Sequence, residues 1–101
     1  MAIAHLTQGN FESTVGEGLV LIDFWAPWCG PCRMQAPILE ALDAELGDKV
    51  KICKIDVDEE PNLARRFRIL SIPTLVVMKD GQVTATRVGV QSVDNLKDML
   101  A

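Results

Sequence analysis

The chain has 101 residues and a formal net charge of -4, with 49% hydrophobic and 24% charged residues. This length predicts a single domain over residues 1–101, and the composition is typical of a globular protein with its own hydrophobic core. The negative charge argues against nucleic acid or an anionic membrane as a partner, and no apolar run approaches the ~20 residues that span a bilayer.

Strand and helix patterns alternate through the first half of the chain. A short strand is predicted near residues 3–6, a helix at 10–16, and a strand at 19–26 whose continuous apolar run indicates burial on both faces. The longest helix is predicted at about 29–46. We expect a kink at Pro37, because proline removes a backbone donor inside a helix.

The second half continues the alternation and ends in a hairpin and a helix. A strand at 50–57 is followed by a helix after Asp58, an N-cap candidate with acidic residues behind it. Strands at 74–78 and 83–88 flank an Asp-Gly turn, and Ser92 is the predicted N-cap of the last helix, whose apolar residues are Val93, Leu96, Met99 and Leu100. The pattern predicts an α/β three-layer sandwich around a sheet that is parallel at first and has an antiparallel strand at one edge.

Two of the three cysteines, Cys29 and Cys32, lie where the strand at 19–26 ends and the long helix begins. Free backbone N–H groups and the helix dipole favour negative charge there, so we expect a lowered pKa for the Cys29 thiol. Cys32 lies one turn on, within the span of a disulfide. Pro31 fits the first turn and holds the pair in place, while Gly30 leaves the backbone beside the sulfurs uncovered.

This spacing fits a metal site, a structural disulfide or a redox dithiol. Zinc needs four ligands, and only Cys53 and His5 remain, of which His5 is predicted to be a surface or edge residue. The first residues lack the features of an export signal, so we expect a reducing, cytoplasmic compartment, although a precursor without its leader would look the same. A structural disulfide closing so short a loop adds little stability, which leaves the redox dithiol favoured and no metal expected.

Further residues match a known pattern around this pair. Trp28-Cys29-Gly30-Pro31-Cys32 follows Asp23-Phe24-Trp25-Ala26, and Ile72-Pro73-Thr74, Lys79-Asp80-Gly81 and Gly89 come later in order. Over essentially its whole length the chain resembles the thioredoxin family. The resemblance implies the thioredoxin fold, with a central mixed five-stranded sheet and four helices. It also implies a general protein-disulfide reductase without a bound cofactor, which maintains cell redox homeostasis. Its partners would be thioredoxin reductase and disulfide-containing proteins, and we expect a monomer.

The resemblance also assigns roles to residues near the pair. Cys29 attacks a substrate disulfide, and Cys32 then resolves the mixed disulfide. Asp23 is the expected proton acceptor for Cys32, because it interrupts a strand covered on both faces and its pKa should rise. The alternative is a structurally paired Asp23, with Lys54 on the next strand as its partner.

The remaining matched residues would shape a docking surface. Trp28 is expected to form a flat apolar area beside the reactive sulfur, while Trp25 is a core or site-wall residue. In the family the bond before the matching Pro73 is cis, and Ile72 would then face the sulfur and pair with an extended substrate. From sequence alone a trans proline opening a strand is the default. Gly89 leaves room for the substrate, or is a simple turn glycine.

Three residues depart from the usual family pattern. Cys53 replaces a small apolar residue and is expected to be buried and inert, the alternative being a regulatory thiol. Arg68 stands where Gly or Asn is usual, so either it carries about 1 kcal/mol of left-handed strain or the helix ends differently. Leu70 replaces an often polar residue and would enlarge the apolar docking surface.

Two rival functions remain open from the sequence. The same fold serves oxidases and isomerases, although the Gly-Pro pair between the cysteines and the absent export signal favour reduction. A non-catalytic binding module would use the surface around Trp28, Ile72 and Gly89 while its thiols stay idle.

Overall fold

A computed structural model describes residues 3–101 of the chain. In that range strands and helices alternate in the order β1 (Ala4–His5), α1 (Phe11–Val15), β2 (Leu19–Trp25), α2 (Gly30–Leu46), β3 (Lys51–Asp56), α3 (Pro61–Arg66), β4 (Thr74–Lys79), β5 (Gln82–Val88) and α4 (Val93–Leu100). A short 3₁₀ turn, Gly47–Lys49, follows α2. Every strand and α-helix predicted from the sequence is present, and α2 continues through Pro37. None of the described helices combines the length and apolar character that a membrane span requires.

The five strands form one mixed sheet in the order β1-β3-β2-β4-β5. Strand β3 is parallel to both β1 and β2, whereas β4 is antiparallel to both β2 and β5. The edge strand β5 pairs antiparallel with its neighbour β4, as predicted, and the sheet has a second antiparallel pairing, between β2 and β4, in its interior. The first five residues of β4 are all buried, whereas β5 is mostly exposed, so burial favours β4 as the inner strand of the hairpin.

Hydrophobic clusters cover both faces of this sheet. One face packs β2 against α1 and α3 through Ile22, Phe11 and Leu63, and the other packs β2 against α2 and α4 through Leu21, Leu39, Leu42, Leu96 and Met99. The three-layer α/β/α arrangement is thus confirmed. Because side chains alternate along a strand, Asp23 belongs to the same face as Leu21, on the side of α2 and α4.

The predicted start of α3 is wrong by two residues. The N-cap is Glu60 rather than Asp58, and Pro61 occupies the first helical position, where its missing N–H costs nothing. Asp56 explains the delay, because its Oδ1 accepts hydrogen bonds from the backbone N of Asp58 at 2.9 Å and of Glu59 at 3.4 Å, which forms a turn. At the start of α4, Ser92 is the N-cap as predicted, with its side chain accepting from Asn95 N.

Arg68 adopts the left-handed conformation that the family pattern implied, with φ of 54°. Its backbone N donates to Arg65 O at 3.0 Å, and Ile69 N donates to Ala64 O at 3.0 Å. These two bonds form the Schellman motif, which satisfies the last carbonyl groups of a helix and needs a left-handed residue at this position. Of the two alternatives for Arg68, the structure therefore shows the left-handed backbone, and the two hydrogen bonds offset the conformational cost of that backbone.

Candidate active site

The cysteine pair lies at the N-terminus of α2, where the sequence placed it. Cys29 is the N-cap residue, and the backbone N of Cys32 donates to Cys29 Sγ at 3.2 Å. The two sulfurs form a disulfide, with 5.3 Å between the Cα atoms. When this bond is reduced, the helix N-terminus provides N–H groups and a positive dipole end that stabilise a thiolate on Cys29.

The pair lies just beneath the surface. Cys29 is 4% exposed and Cys32 is 3% exposed. Trp25, Ala26, Val57 and Ile72 pack around the two side chains. The next residue, Gly30, is exposed, and apart from its chain neighbours and the backbone of its own helix no described atom lies within 4 Å of where a Cβ would stand on it. The glycine thus leaves an open approach beside the sulfurs, as expected from the sequence.

The loop before β4 faces the reactive sulfur. The Ile72–Pro73 peptide bond is cis, as the resemblance implied, and Ile72 O lies 3.7 Å from Cys29 Sγ. Gly89 follows β5 with φ of 93°, and its backbone N donates to Pro73 O at 2.8 Å. The hydrogen bond joins the two loops, so the Ile72–Pro73 segment and Gly89 form one continuous wall next to the disulfide.

Exposed apolar side chains surround this wall. Trp28 is 66% exposed, and its Nε1 donates to Asp58 Oδ2 at 2.8 Å, which orients the ring. Leu70 is 97% exposed, in agreement with the expected extra apolar surface, and together with Val88 it lines a cleft of about 260 Å³. Met34, which was not among the residues predicted for the site, is also exposed on the first turns of α2. Its place five residues after Cys29 is the signal that would have indicated it.

Asp23 is buried on β2 without hydrogen-bond partners among the described residues. Its side chain is 0% exposed, and neither carboxylate oxygen has a partner within residues 3–101. Burial removes water from the charged form and raises the pKa of Asp23 to about 6, while the positive charge of Lys54 opposes the rise. Lys54 is the register neighbour of Asp23 on β3. The expected pKa rise is confirmed, and the structure gives no hydrogen bond for the paired alternative.

Lys54 is instead directed to an aromatic ring. Its Nζ lies 4.3 Å from the centroid of the Trp25 ring, a distance typical of a cation–π contact. The exposed ring of His5 meets Trp25 edge to face, with 6.4 Å between centroids. Trp25 is half-buried and packs against the cysteine pair, which is the position of the two expected for it that lies beside the sulfurs.

Cys53 is buried on β3, outside the disulfide. It packs with Ile22 and Ile55 on the face of the sheet that α1 and α3 cover. Burial raises the pKa of its thiol to about 11, against the effect of the Lys51 charge. A buried thiol with a raised pKa reacts slowly, which supports the inert alternative over the regulatory one.

We therefore expect Cys53 to resist labelling in the native oxidised protein. A bulky aromatic disulfide reagent should react with far less than one thiol per chain within minutes, and with one thiol after unfolding in guanidinium chloride. A Cys53→Ala variant should give no signal in either condition. Rapid labelling of the native protein at one thiol per chain would show that Cys53 is accessible.

A metal site finds no support among residues 3–101, since no group of three or more His, Cys, Asp or Glu side chains is placed to hold an ion there. His5 lies on the edge strand β1, and Cys53 is enclosed in the core. The two residues that the sequence left as possible extra zinc ligands therefore do not join the cysteine pair.

Comparison with known proteins agrees with this geometry. The thioredoxin family model matches residues 2–101. The chain is 53% identical to a thioredoxin from Bacillus subtilis over 100 residues, which cover 99% of this chain and 96% of that protein. It is 50% identical to a thioredoxin from Staphylococcus aureus with the same coverage.

These findings confirm the thioredoxin fold and the function expected from the sequence. With its redox-active Cys29–Cys32 pair, the protein is a thioredoxin-type dithiol–disulfide oxidoreductase that carries electrons. About half of the aligned residues are identical in these thioredoxins, and the family match covers residues 2–101. The chain belongs to the thioredoxin family.

Proposed function

We propose that this chain is a general protein-disulfide reductase in which Cys29 is the nucleophile and Cys32 the resolving thiol. The observation that carries the assignment is the position of Cys29 as N-cap of α2, with its sulfur accepting the Cys32 N–H at 3.2 Å. That N–H and the helix dipole stabilise a negative charge on the Cys29 sulfur. Cys29 is therefore the thiol that attacks first, and Cys32 reacts second.

The exchange proceeds in two balanced steps. The Cys29 thiolate attacks one sulfur of the partner disulfide, which forms a mixed disulfide and releases the other partner sulfur as a thiolate. Cys32 then loses its proton and attacks the Cys29 sulfur, which forms the Cys29–Cys32 disulfide and releases the second partner thiolate. Two electrons pass to the partner, and the oxidised product is the state that the structure shows.

Asp23 is proposed to accept the proton of Cys32. It belongs to the α2 side of the sheet, and its pKa of about 6 makes it an available base at neutral pH. Lys54, which lowers that pKa, would keep the carboxylate charged. A cleft of about 270 Å³, lined by Cys32 and Lys54 among others, gives water a route to this side of the disulfide.

A partner polypeptide is proposed to dock over the wall beside Cys29. Ile72 and Pro73 would meet an extended segment, and Gly89 would let its backbone come close. The exposed ring of Trp28 and the side chain of Leu70 would contact apolar side chains of the partner. Trp25, Gly30 and Pro31 shape the site and hold the cysteine pair in place.

We propose further that residues 1–101 act as a single domain and as a monomer in the cytoplasm. Thioredoxin reductase would supply the electrons, and disulfide-containing proteins would receive them. The family match supports both partners. The reductase would reduce the Cys29–Cys32 disulfide by dithiol exchange alone.

The test is the reduction of insulin by dithiothreitol, with and without the protein. We expect the protein at micromolar concentration to shorten the lag before the insulin B chain precipitates, because the dithiol at the helix N-terminus attacks faster than dithiothreitol does. Bovine serum albumin at equal concentration is the control. A lag equal to that of the control would instead favour a non-catalytic binding module.

A further inference from the structure

A fully buried glutamine joins the active-site helix to the wall beside the disulfide. Gln35 lies on α2 three residues after Cys32, with a side chain that is 0% exposed. Its Nε2 donates to Gln91 O at 3.0 Å, and Gln91 N donates to its Oε1 at 2.7 Å. A buried amide requires partners, and here one side chain satisfies both backbone groups of a single residue.

The hydrogen bonds continue from Gln91 to the wall. Gln91 is itself buried, and its Nε2 donates to Gly89 O at 3.1 Å and to Val88 O at 3.3 Å. Gly89 N in turn donates to Pro73 O at 2.8 Å. A continuous series of hydrogen bonds therefore runs from α2, which carries the cysteines, through the segment at 88–91 to the loop that faces the reactive sulfur.

We propose that Gln35 is a positioning residue that sets the Gly89 side of the wall for protein substrates. Within residues 3–101 both hydrogen bonds of its side chain go to Gln91, and neither goes to a sulfur. Gln35 therefore acts on docking and leaves thiol exchange itself unchanged. The inference rests on the reductase function proposed above, because a wall set for docking has a use only if a polypeptide binds there.

This role differs measurably from simple core packing. A protein disulfide must fit the wall and the sulfur together, whereas a small disulfide needs access to the sulfur alone. Loss of the Gln35 bonds should therefore slow the first reaction selectively. A residue that only stabilised the core would change the free energy of unfolding and leave the ratio of the two rates unchanged.

The test compares two disulfides with the pre-reduced protein in a stopped-flow instrument. In Gln35→Leu, which keeps the side-chain size but leaves two buried backbone groups of Gln91 unpaired, the second-order rate with insulin should fall about fivefold to tenfold. The rate with a small aromatic disulfide, dithiobis(nitrobenzoate), should stay within about twofold of wild type.

Leu42→Ala is the matched control, because Leu42 is equally buried on α2 and its loss destabilises the core away from the wall. Both of its rates should equal those of wild type at a temperature where it is folded.

A second variant keeps the test decisive if Gln35→Leu does not fold. Gln91→Met retains the backbone pair with Gln35 and removes the bonds to Val88 and Gly89, so it should slow insulin alone, by a smaller factor. Equal slowing of both disulfides, an unchanged insulin rate in both variants, or the same insulin loss in Leu42→Ala would each overturn the inference. Failure of the proposed function is a different result, since wild type itself would then not reduce insulin.

Discussion

Replacing Cys29 by serine is expected to abolish the acceleration of insulin reduction by dithiothreitol. A serine oxygen at the N-cap of α2 neither ionises at neutral pH nor forms a bond to sulfur, so no mixed disulfide can begin. The rate should return to that of dithiothreitol alone. Cys53→Ser is the matched control, because it changes a thiol in the core and should keep the wild-type rate.

The complementary variant, Cys32→Ser, identifies which sulfur attacks first. Cys29 should still react with a protein disulfide, and the mixed disulfide should persist because the resolving thiol is absent. Mass spectrometry should show one partner bound per chain, released by added dithiothreitol. If Cys29→Ser accumulated this adduct and Cys32→Ser did not, the two roles would be reversed.

The periodicity of the sequence was sufficient to predict the elements and the place of the cysteine pair. Both are local properties of the sequence. A strand that is covered on two faces appears as a continuous apolar run, and the N-cap of the next helix comes shortly after that run ends. The buried carboxylate was predictable for the same reason. Asp23 interrupts that run, and its raised pKa follows from the burial of the strand.

Contacts between distant segments were not predictable in this way. Asp56 forms a turn that delays α3, and Asp58 uses its carboxylate for Trp28 instead of capping the helix. Gln35 and Gln91 lie 56 residues apart, and no periodic pattern relates them. The position of β4 inside the sheet likewise depends on how the hairpin is buried, and the cis bond before Pro73 was expected only from the resemblance.

The buried carboxylate of Asp23 should make the protein less stable as the pH rises. Its pKa is about 6 in the folded chain against an ordinary value of 3.8, so between these values the folded state holds a proton that the unfolded state has lost. Neutral Asp23 is accommodated below about pH 4, and the free energy of unfolding then falls as the pH rises through 6. By pH 8 the loss should reach roughly 3 kcal/mol, and Asp23→Asn should recover most of it.

Urea unfolding of the oxidised protein between pH 4 and 8 measures this effect directly. The curves of wild type and Asp23→Asn should meet near pH 4 and diverge above it, with the variant more stable at pH 8. Glu40→Gln, which removes an exposed carboxylate from α2, is the control and should follow wild type throughout. Parallel curves for wild type and Asp23→Asn would mean that the carboxylate does not titrate in this range.

The same Asp23→Asn variant should be the slower enzyme. If Asp23 takes the proton of Cys32, an amide at that position cannot, and insulin reduction at neutral pH should slow by up to about a hundredfold. The slowing should shrink towards pH 9, where hydroxide and the thiol's own ionisation replace the carboxylate. A variant that gains stability and loses activity together would show that an unpartnered buried charge is retained for proton transfer at the cost of stability. Rates equal to wild type across pH 6–9 would show that the proton leaves Cys32 by another route.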